Sequence, residues 1–255
     1  MPLNFFRPVA ATRRHLNMFY LLDTSGSMNN AHCIQQLNSA MRDIVPILRE
    51  VSSANRDHSD IYLSCISFGT EAKLLYRNPV LIDKFEWIDV RAEGLTNLGA
   101  AFMLLNEQMK SRKTFGHGDG NLRSAVILMT DGQPDSGWQE QLAELQSNPW
   151  FREAFKIAIT IGPQAAHPEV QDVMWHFATP LDAGDDHLVI HVSDLARIGS
   201  VLRFVSSVVS RVGSQNYGTP TAATGQIADA IEGEFKDEGV VLIFDRAGND
   251  RKPHY

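Results

Sequence analysis

Short, nearly unbroken apolar runs alternate along this chain with segments whose apolar residues recur every three or four positions. The first kind predicts strands buried on both faces, and the second predicts helices with one buried stripe. Asn17 to Leu22 is the first run and ends at Asp23. Cys33 to Val51 follows with helical spacing, and Pro46 inside it predicts a kink or a division. Ile61 to Phe68 is a second strand, and Ala72 to Tyr76, after Gly69, reads as a short hairpin partner. Leu98, Ala101, Phe102, Leu105 and Met109 share one helical face. Ser124 to Thr130 is the most continuous strand signal in the chain. Trp138, Leu142 and Leu145 mark the next helix, Phe155 to Ile161 the next strand, and Val170, Val173, Met174 and Phe177 another helix. His187 to His191 is a last short strand of this series, and Ser193 is the expected N-cap of a helix carrying Leu195, Ile198, Leu202, Val205 and Val209.

This alternation predicts an α/β fold of Rossmann-like type: a mostly parallel central sheet, helices on both faces, and one short antiparallel edge strand at Ala72 to Tyr76. The expected organisation is an extension over 1–14, a domain over 15–212, a linker over 213–225 and an acidic tail over 226–255. The linker reading rests on the small, polar string G-S-Q-N-Y-G-T-P-T-A-A-T-G. In the tail, Ile227 to Phe235 predicts a short helix and Val240 to Phe244 a strand, able to join an exposed sheet edge here or on a partner.

Composition narrows the function classes. With 44% hydrophobic and 21% charged residues in 255, the chain can fill one large core. A formal net charge of −7 without a dense Lys/Arg run concentrates no positive potential, so neither nucleic acid nor an anionic membrane is an expected partner. Cys33 and Cys65 are expected as free thiols. No apolar segment approaches the roughly 20 residues of a membrane helix, and Leu16 to Leu22 is too short for a signal segment. A cytoplasmic protein is the expectation.

The chemistry gathers in three strings. D-T-S-G-S-M, Asp23 to Met28, sits at the carboxyl end of the first strand, where open parallel sheets bind ligands. Asp23, Ser25 and Ser27 put oxygen ligands at alternate positions, and Gly26 permits the bend between them. Thr96, in E-G-L-T-N, precedes the helix containing Leu98. Asp131, in M-T-D-G-Q-P-D, ends the best strand. Two carboxylates and three hydroxyls, without nitrogen or sulfur, suit a hard divalent cation such as Mg²⁺ or Mn²⁺. Each string alone is ordinary turn or cap chemistry; their order, each after the right element, makes the site.

D-T-S-G-S-M, then G-L-T, then L-M-T-D-G-Q-P resembles the metal-ion-dependent adhesion site of von Willebrand factor A domains, over approximately residues 15 to 212. The resemblance implies that Ser25, Ser27 and Thr96 approach the metal directly or through water, with Asp23 and Asp131 supporting or acting through water. A Glu or Asp of a partner protein would complete the coordination. Many relatives have Gly-Gly-Thr where this chain has Gly94-Leu95-Thr96, which places an apolar side chain on the rim. F-Y-L-L-D-T-S-G-S-M, and the aspartate loop running into Trp138, are most similar to the bacterial TerY-like branch associated with tellurium resistance. That likeness implies a non-catalytic organiser acting beside a protein kinase and a PP2C-type phosphatase in stress or defence.

Rival readings are a metal-independent interaction domain and an aspartyl-phosphate phosphotransferase using Asp23. Such enzymes place a second carboxylate where this chain has Ser25, and need a lysine that the three strings lack. No P-loop string occurs, and His187 and His191 read as structural rather than as a serine hydrolase base. Trp138 and Trp150 read as packing residues. Met28, Asn29, Leu95, Asn97, Gln133 and Asp135 flank the ligands and form the expected partner-binding rim. Glu232, Glu234, Asp237 and Glu238 on the tail could reach the metal as an intrinsic ligand, against the plainer reading of a solvated acidic face.

Overall fold

The computed structural model describes residues 14–55, 59–111, 121–132, 134, 137–162, 167–181, 186–214, 220–235 and 240–243. Their strands form one sheet: β1 (Arg14–Asp23), β2 (Ser59–Phe68), β3 (Ala72–Leu74), β4 (Val80–Leu81), β5 (Ala125–Thr130), β6 (Phe155–Ile161), β7 (Leu188–Val192) and β8 (Val240–Ile243). The order is β3-β2-β1-β5-β6-β7-β8, with β4 also paired to β2. The pairs β1–β2, β1–β5, β5–β6 and β6–β7 are parallel. The expected antiparallel edge is present in β3, which pairs with β2, and β4 joins the same strand. The opposite edge is antiparallel as well, because β8 runs against β7.

Alternation along each strand sends side chains to two separate cores. Leu16, Met18, Tyr20 and Leu22 face α1 (Cys33–Ala54) and the long helix α6 (Ile198–Ser214). Phe19 and Leu21 face α2 (Leu98–Lys110), α3 (Trp138–Gln146), α4 (Pro149–Glu153) and α5 (Pro168–Phe177). The parallel strands, buried on both sides, are thus continuous apolar runs, as their sequences predict.

Three details depart from the sequence pattern. Pro46 does not divide α1, which runs unbroken from Cys33 to Ala54. The proline removes one backbone donor, but Ile44, Val45, Leu48 and Val51 are buried on either side of it and hold both halves to the sheet. Ser193 is not the cap after β7: Asp194 is, accepting the Ala196 amide at 3.0 Å at the head of a 3₁₀ turn over Leu195–Arg197. The string after Val212 is also more ordered than its composition suggests. Helix α6 continues to Ser214, and helix α7 (Pro220–Glu234) begins inside the 213–225 stretch. Ile227, Ala228, Ile231 and Phe235 are buried with the α1/α6 core, and the Phe235 ring meets Phe204 edge-on at 5.4 Å. Small residues made the segment look like a linker, yet Ala223 and Thr224 within it are buried on α7.

Both cysteines are free and buried. Among the described residues no helix is long and apolar enough to cross a membrane.

Candidate functional site

Strands β1 and β5 are parallel neighbours with Leu22 opposite Met129, so Asp23 and Thr130 emerge side by side at their carboxyl ends. Asp23 is fully buried. Its Oδ1 accepts the Ser25 amide at 2.7 Å, and its Oδ2 accepts the Thr130 hydroxyl in a short hydrogen bond. The Ser25 and Ser27 hydroxyls share a 2.9 Å hydrogen bond, and Ser27 donates onward to Asp131 Oδ1 at 2.7 Å. The Ser25 to Ser27 span and the two aspartates therefore form one connected set across two strands. Thr130 was not evident as a member from the sequence; its signal was its place directly before Asp131 on the strand beside Asp23.

The acids are held against their ordinary behaviour. Burial pushes the Asp23 carboxyl up to about 6, hydrogen bonds from Ser25 and Thr130 pull the other way, and the charge of Asp131 adds to the rise. Burial also raises Asp131, opposed by Ser27. Among the described residues neither carboxylate pairs with Lys, Arg or His. Two buried acids without a protein cation are costly once ionised.

Thr96 arrives on a long irregular segment, Phe85 to Asn97, that α1 and the strand ends hold down. The Asn38 amide on α1 treats Val90 like a paired strand residue, accepting its N–H and donating to its carbonyl, both at 2.9 Å. The Trp87 indole donates to the same Asn38 oxygen at 3.1 Å. Nearer the site, Glu93 N–H donates to Thr24 at 2.8 Å, Gly26 N–H to Gly94 at 2.9 Å, and Asn97 N–H to Gly69 at 2.9 Å. Gly94 has φ +82°, and a Cβ there would lie 2.2 Å from the Thr70 hydroxyl, so this turn requires glycine twice over.

Asn97, not Thr96, caps α2, accepting the Ala100 amide at 2.9 Å. The Thr96 side chain is therefore not the cap of α2. A Cβ built on Gly132 would sit 3.3 Å from Ser27 Oγ and 3.6 Å from Thr96 Oγ1, so these hydroxyls flank one small space that a side chain at 132 would enter. Among the described residues no group of three or more His, Cys, Asp and Glu gathers anywhere. The donor set present is hydroxyl-rich, with two carboxylates, and such oxygen ligands fit a small hard cation.

The expected rim separates. Met28 has no exposed surface and packs in the core with α1, because the 3₁₀ turn over Gly26–His32 points it inward; it is not a rim residue. Asn29 is exposed and donates to Ala92 at 3.0 Å. Leu95 is 62% exposed, and Asn97 is half-buried in its capping role. Gln133 and Asp135 lie outside the described residues. Trp138 is buried in the second core, whereas Trp150 is 39% exposed. His187 stacks on Trp175 at 3.8 Å and His191 contacts the Thr160 hydroxyl at 3.2 Å. Of the tail acids, Glu232 and Glu234 are exposed on α7, which packs on α6; Asp237 and Glu238 lie outside the described residues.

Comparison with known proteins bears on the fold that carries these residues. Residues 18–133 match the family model of the von Willebrand factor type A domain. Solved structures share the fold at low identity. A von Willebrand factor type A protein from Catenulispora acidiphila superposes with TM-score 0.55 at 14% identity, covering 78% of this chain and 43% of that one. Proximal thread matrix protein 1 of the mussel byssus, with a zinc-occupied MIDAS motif, gives 0.55 at 18%, covering 78% and 48%. The PilB minor pilin of Streptococcus sanguinis gives 0.54 at 13%, covering 81% and 63%. The chain thus spans about half the length of the first two. No curated protein matches it.

Proposed function

We propose that this chain, which carries a von Willebrand factor type A-like domain, is a non-catalytic binding module. In this reading it holds one Mg²⁺ or Mn²⁺ and offers it to a Glu or Asp of a partner protein. Ser25, Ser27 and Thr96 would supply hydroxyl oxygens, with Asp23 and Asp131 balancing the charge directly or through water. When bound, the ion would act as a Lewis acid toward the partner's carboxylate. The protein's own part is to pre-set the hydroxyls: Asp131 orients Ser27, the Ser25 amide and Thr130 orient Asp23, and Asn97 leaves Thr96 unused by the helix. Leu95 and Asn29 form the exposed rim that the partner would meet.

The observation that carries this reading is the convergence of the Ser27 and Thr96 hydroxyls on Gly132, beside two buried acids that pair with no cation among the described residues. It disfavours a domain that works without metal, because the ionised pair would then be uncompensated. The phosphotransferase reading is disfavoured by Asp23 itself. That carboxylate has no exposed surface and both oxygens are engaged, so it is poorly placed to attack a phosphoryl group.

The partner class is inferred from the metal chemistry. The more specific setting, a cytoplasmic bacterial tellurium-resistance or stress complex of the TerY-like kind with a protein kinase and a PP2C-type phosphatase, rests on the sequence resemblance alone. Calorimetric titration of the chain with Mg²⁺, Mn²⁺ and Zn²⁺ tests the site; zinc is included because it occupies the MIDAS motif of the mussel protein. The expected result is one site per chain that Ser27→Ala weakens. Absence of binding, or equal binding to that variant, removes the proposal.

A further inference from the structure

We infer that the Gly69–Thr70 turn is the fixture that sets the third hydroxyl of the site, and that Thr70 is a positioning residue for Thr96. This rests on the metal reading above.

The two residues flanking Thr96 are both tied to this turn. The Leu95 amide donates to Thr70 Oγ1 at 3.2 Å, the Asn97 amide donates to the Gly69 carbonyl at 2.9 Å, and the Asn97 side-chain amide donates to the Thr70 carbonyl at 3.3 Å. Thr96 itself is thus bracketed on both sides. The same Thr70 hydroxyl occupies the place where a Cβ at position 94 would project, 2.2 Å from it, so the left-handed Gly94 turn and the Thr70 side chain are fitted to each other. The turn joins β2 to β3, and β2 lies directly beside β1. The strand next to the one bearing Asp23 therefore carries the clamp that locates Thr96.

The turn and the Thr96 segment meet closely at Thr70 and Gly94, and the hydrogen bonds fix their register there. A cavity of about 470 Å³ opens beside this contact, lined in part by Thr70, Glu71, Lys73, Arg91 and Glu93. Thr70 is itself exposed, which makes a role in the core an unsuitable explanation of its place. Nothing in its sequence context singled it out; S-F-G-T-E reads as a plain strand end and turn.

The test is a double-mutant cycle read by Mn²⁺ calorimetry on the full chain, using Thr70→Val, Thr96→Ala and the pair, with Thr70→Ser as the conservative control. Valine keeps the shape and removes the acceptor. Thr70→Val is expected to weaken Mn²⁺ binding by about fivefold, the scale of one hydrogen bond, and Thr70→Ser to restore it. In the Thr96→Ala background Thr70→Val is expected to change nothing further, because the hydroxyl it positions is gone. Equal weakening by Thr70→Val in both backgrounds marks a general structural effect and overturns the inference, as does unchanged binding by Thr70→Val when Thr96→Ala binds weakly. Both leave the metal site standing. Failure of the wild-type chain to bind Mn²⁺ instead overturns the metal reading, and the role of Thr70 falls with it.

Discussion

Asn97 accepts the amide of Ala100 at 2.9 Å and closes the first turn of α2, one residue after a threonine that a sequence reading would make the cap. The cap is thus Asn97, which leaves Thr96 available for the proposed metal site. Asn97→Ala is expected to cost about 1 kcal/mol of stability, the usual loss for a missing N-cap. Thr96→Ala is expected to leave the urea midpoint nearly unchanged while weakening Mn²⁺ roughly tenfold, as the loss of one contact to a charged group does. Denaturation and calorimetry on the same two variants check this; an equal loss of stability in both contradicts the division.

Gly132 offers a way to block the site without touching a ligand. Its φ is not in the left-handed region, so alanine suits the backbone, but the new Cβ would stand 3.3 Å from Ser27 Oγ and 3.6 Å from Thr96 Oγ1. A methyl there occupies the space between the two hydroxyls. Gly132→Ala is expected to fold with wild-type stability within about 0.5 kcal/mol and to lose most of its divalent-cation affinity. A variant that binds Mn²⁺ as tightly as wild type would show that the ion does not use that space.

Much of this site was legible because its residues sit where periodicity stops. Apolar runs end at Asp23 and at Asp131, and the end of a buried parallel strand is where ligands meet such sheets. Thr130, Asn38 and Thr70 were not legible, since each acts through a partner distant in sequence: 107 positions for Thr130 to Asp23, 52 for Asn38 to Val90 and 25 for Thr70 to Leu95. Met28 was misjudged for a related reason. Position beside a ligand does not say which way a 3₁₀ turn points its side chain. The tail shows the limit of composition: Ala223 and Thr224 fall in the stretch that reads as linker, yet both are buried on α7, which packs against α6.

The joint between the D-T-S-G-S-M turn and α1 is strained. Ala31 and His32 have φ +47° and +63°, a region that costs non-glycine residues roughly 1–2 kcal/mol each. Ala31 is exposed, so glycine there loses little packing. Ala31→Gly is expected to raise stability by about 0.5–1 kcal/mol, the strain relief exceeding the entropy that glycine adds to the unfolded chain. Chemical denaturation measures it, and a destabilised variant would mean the left-handed joint is not strained.

Helix α7 belongs to the folded body, so removing it is expected to harm the fold. Phe235 is 7% exposed and its ring meets Phe204 edge-on. Phe235→Ala is expected to cost about 3 kcal/mol, as buried aromatic truncations do. Ending the chain at Ser214 would uncover the apolar surface that Ile227 and Ile231 protect, and lower the melting temperature further. A truncated chain that melts with the full-length protein would return the segment to the status of an independent tail.

The acids make stability depend on pH and on metal in opposite senses. Asp23 is raised from 3.8 to about 6 by burial, and Asp131 is raised as well. Below about pH 4 the folded and unfolded chains both hold the Asp23 proton, and its contribution is fully present. Between about pH 4 and 6 the unfolded chain releases that proton while the folded chain keeps it, so metal-free stability falls as pH rises, and above about 6 the loss is complete. Two units correspond to about 3 kcal/mol for a group this buried. A divalent cation needs the ionised form, so Mn²⁺ should stabilise strongly above about pH 7 and hardly at all near pH 5. Melting curves across this range, in EDTA and in Mn²⁺, are expected to diverge as pH increases. Parallel curves would mean that the two aspartates do not hold the ion.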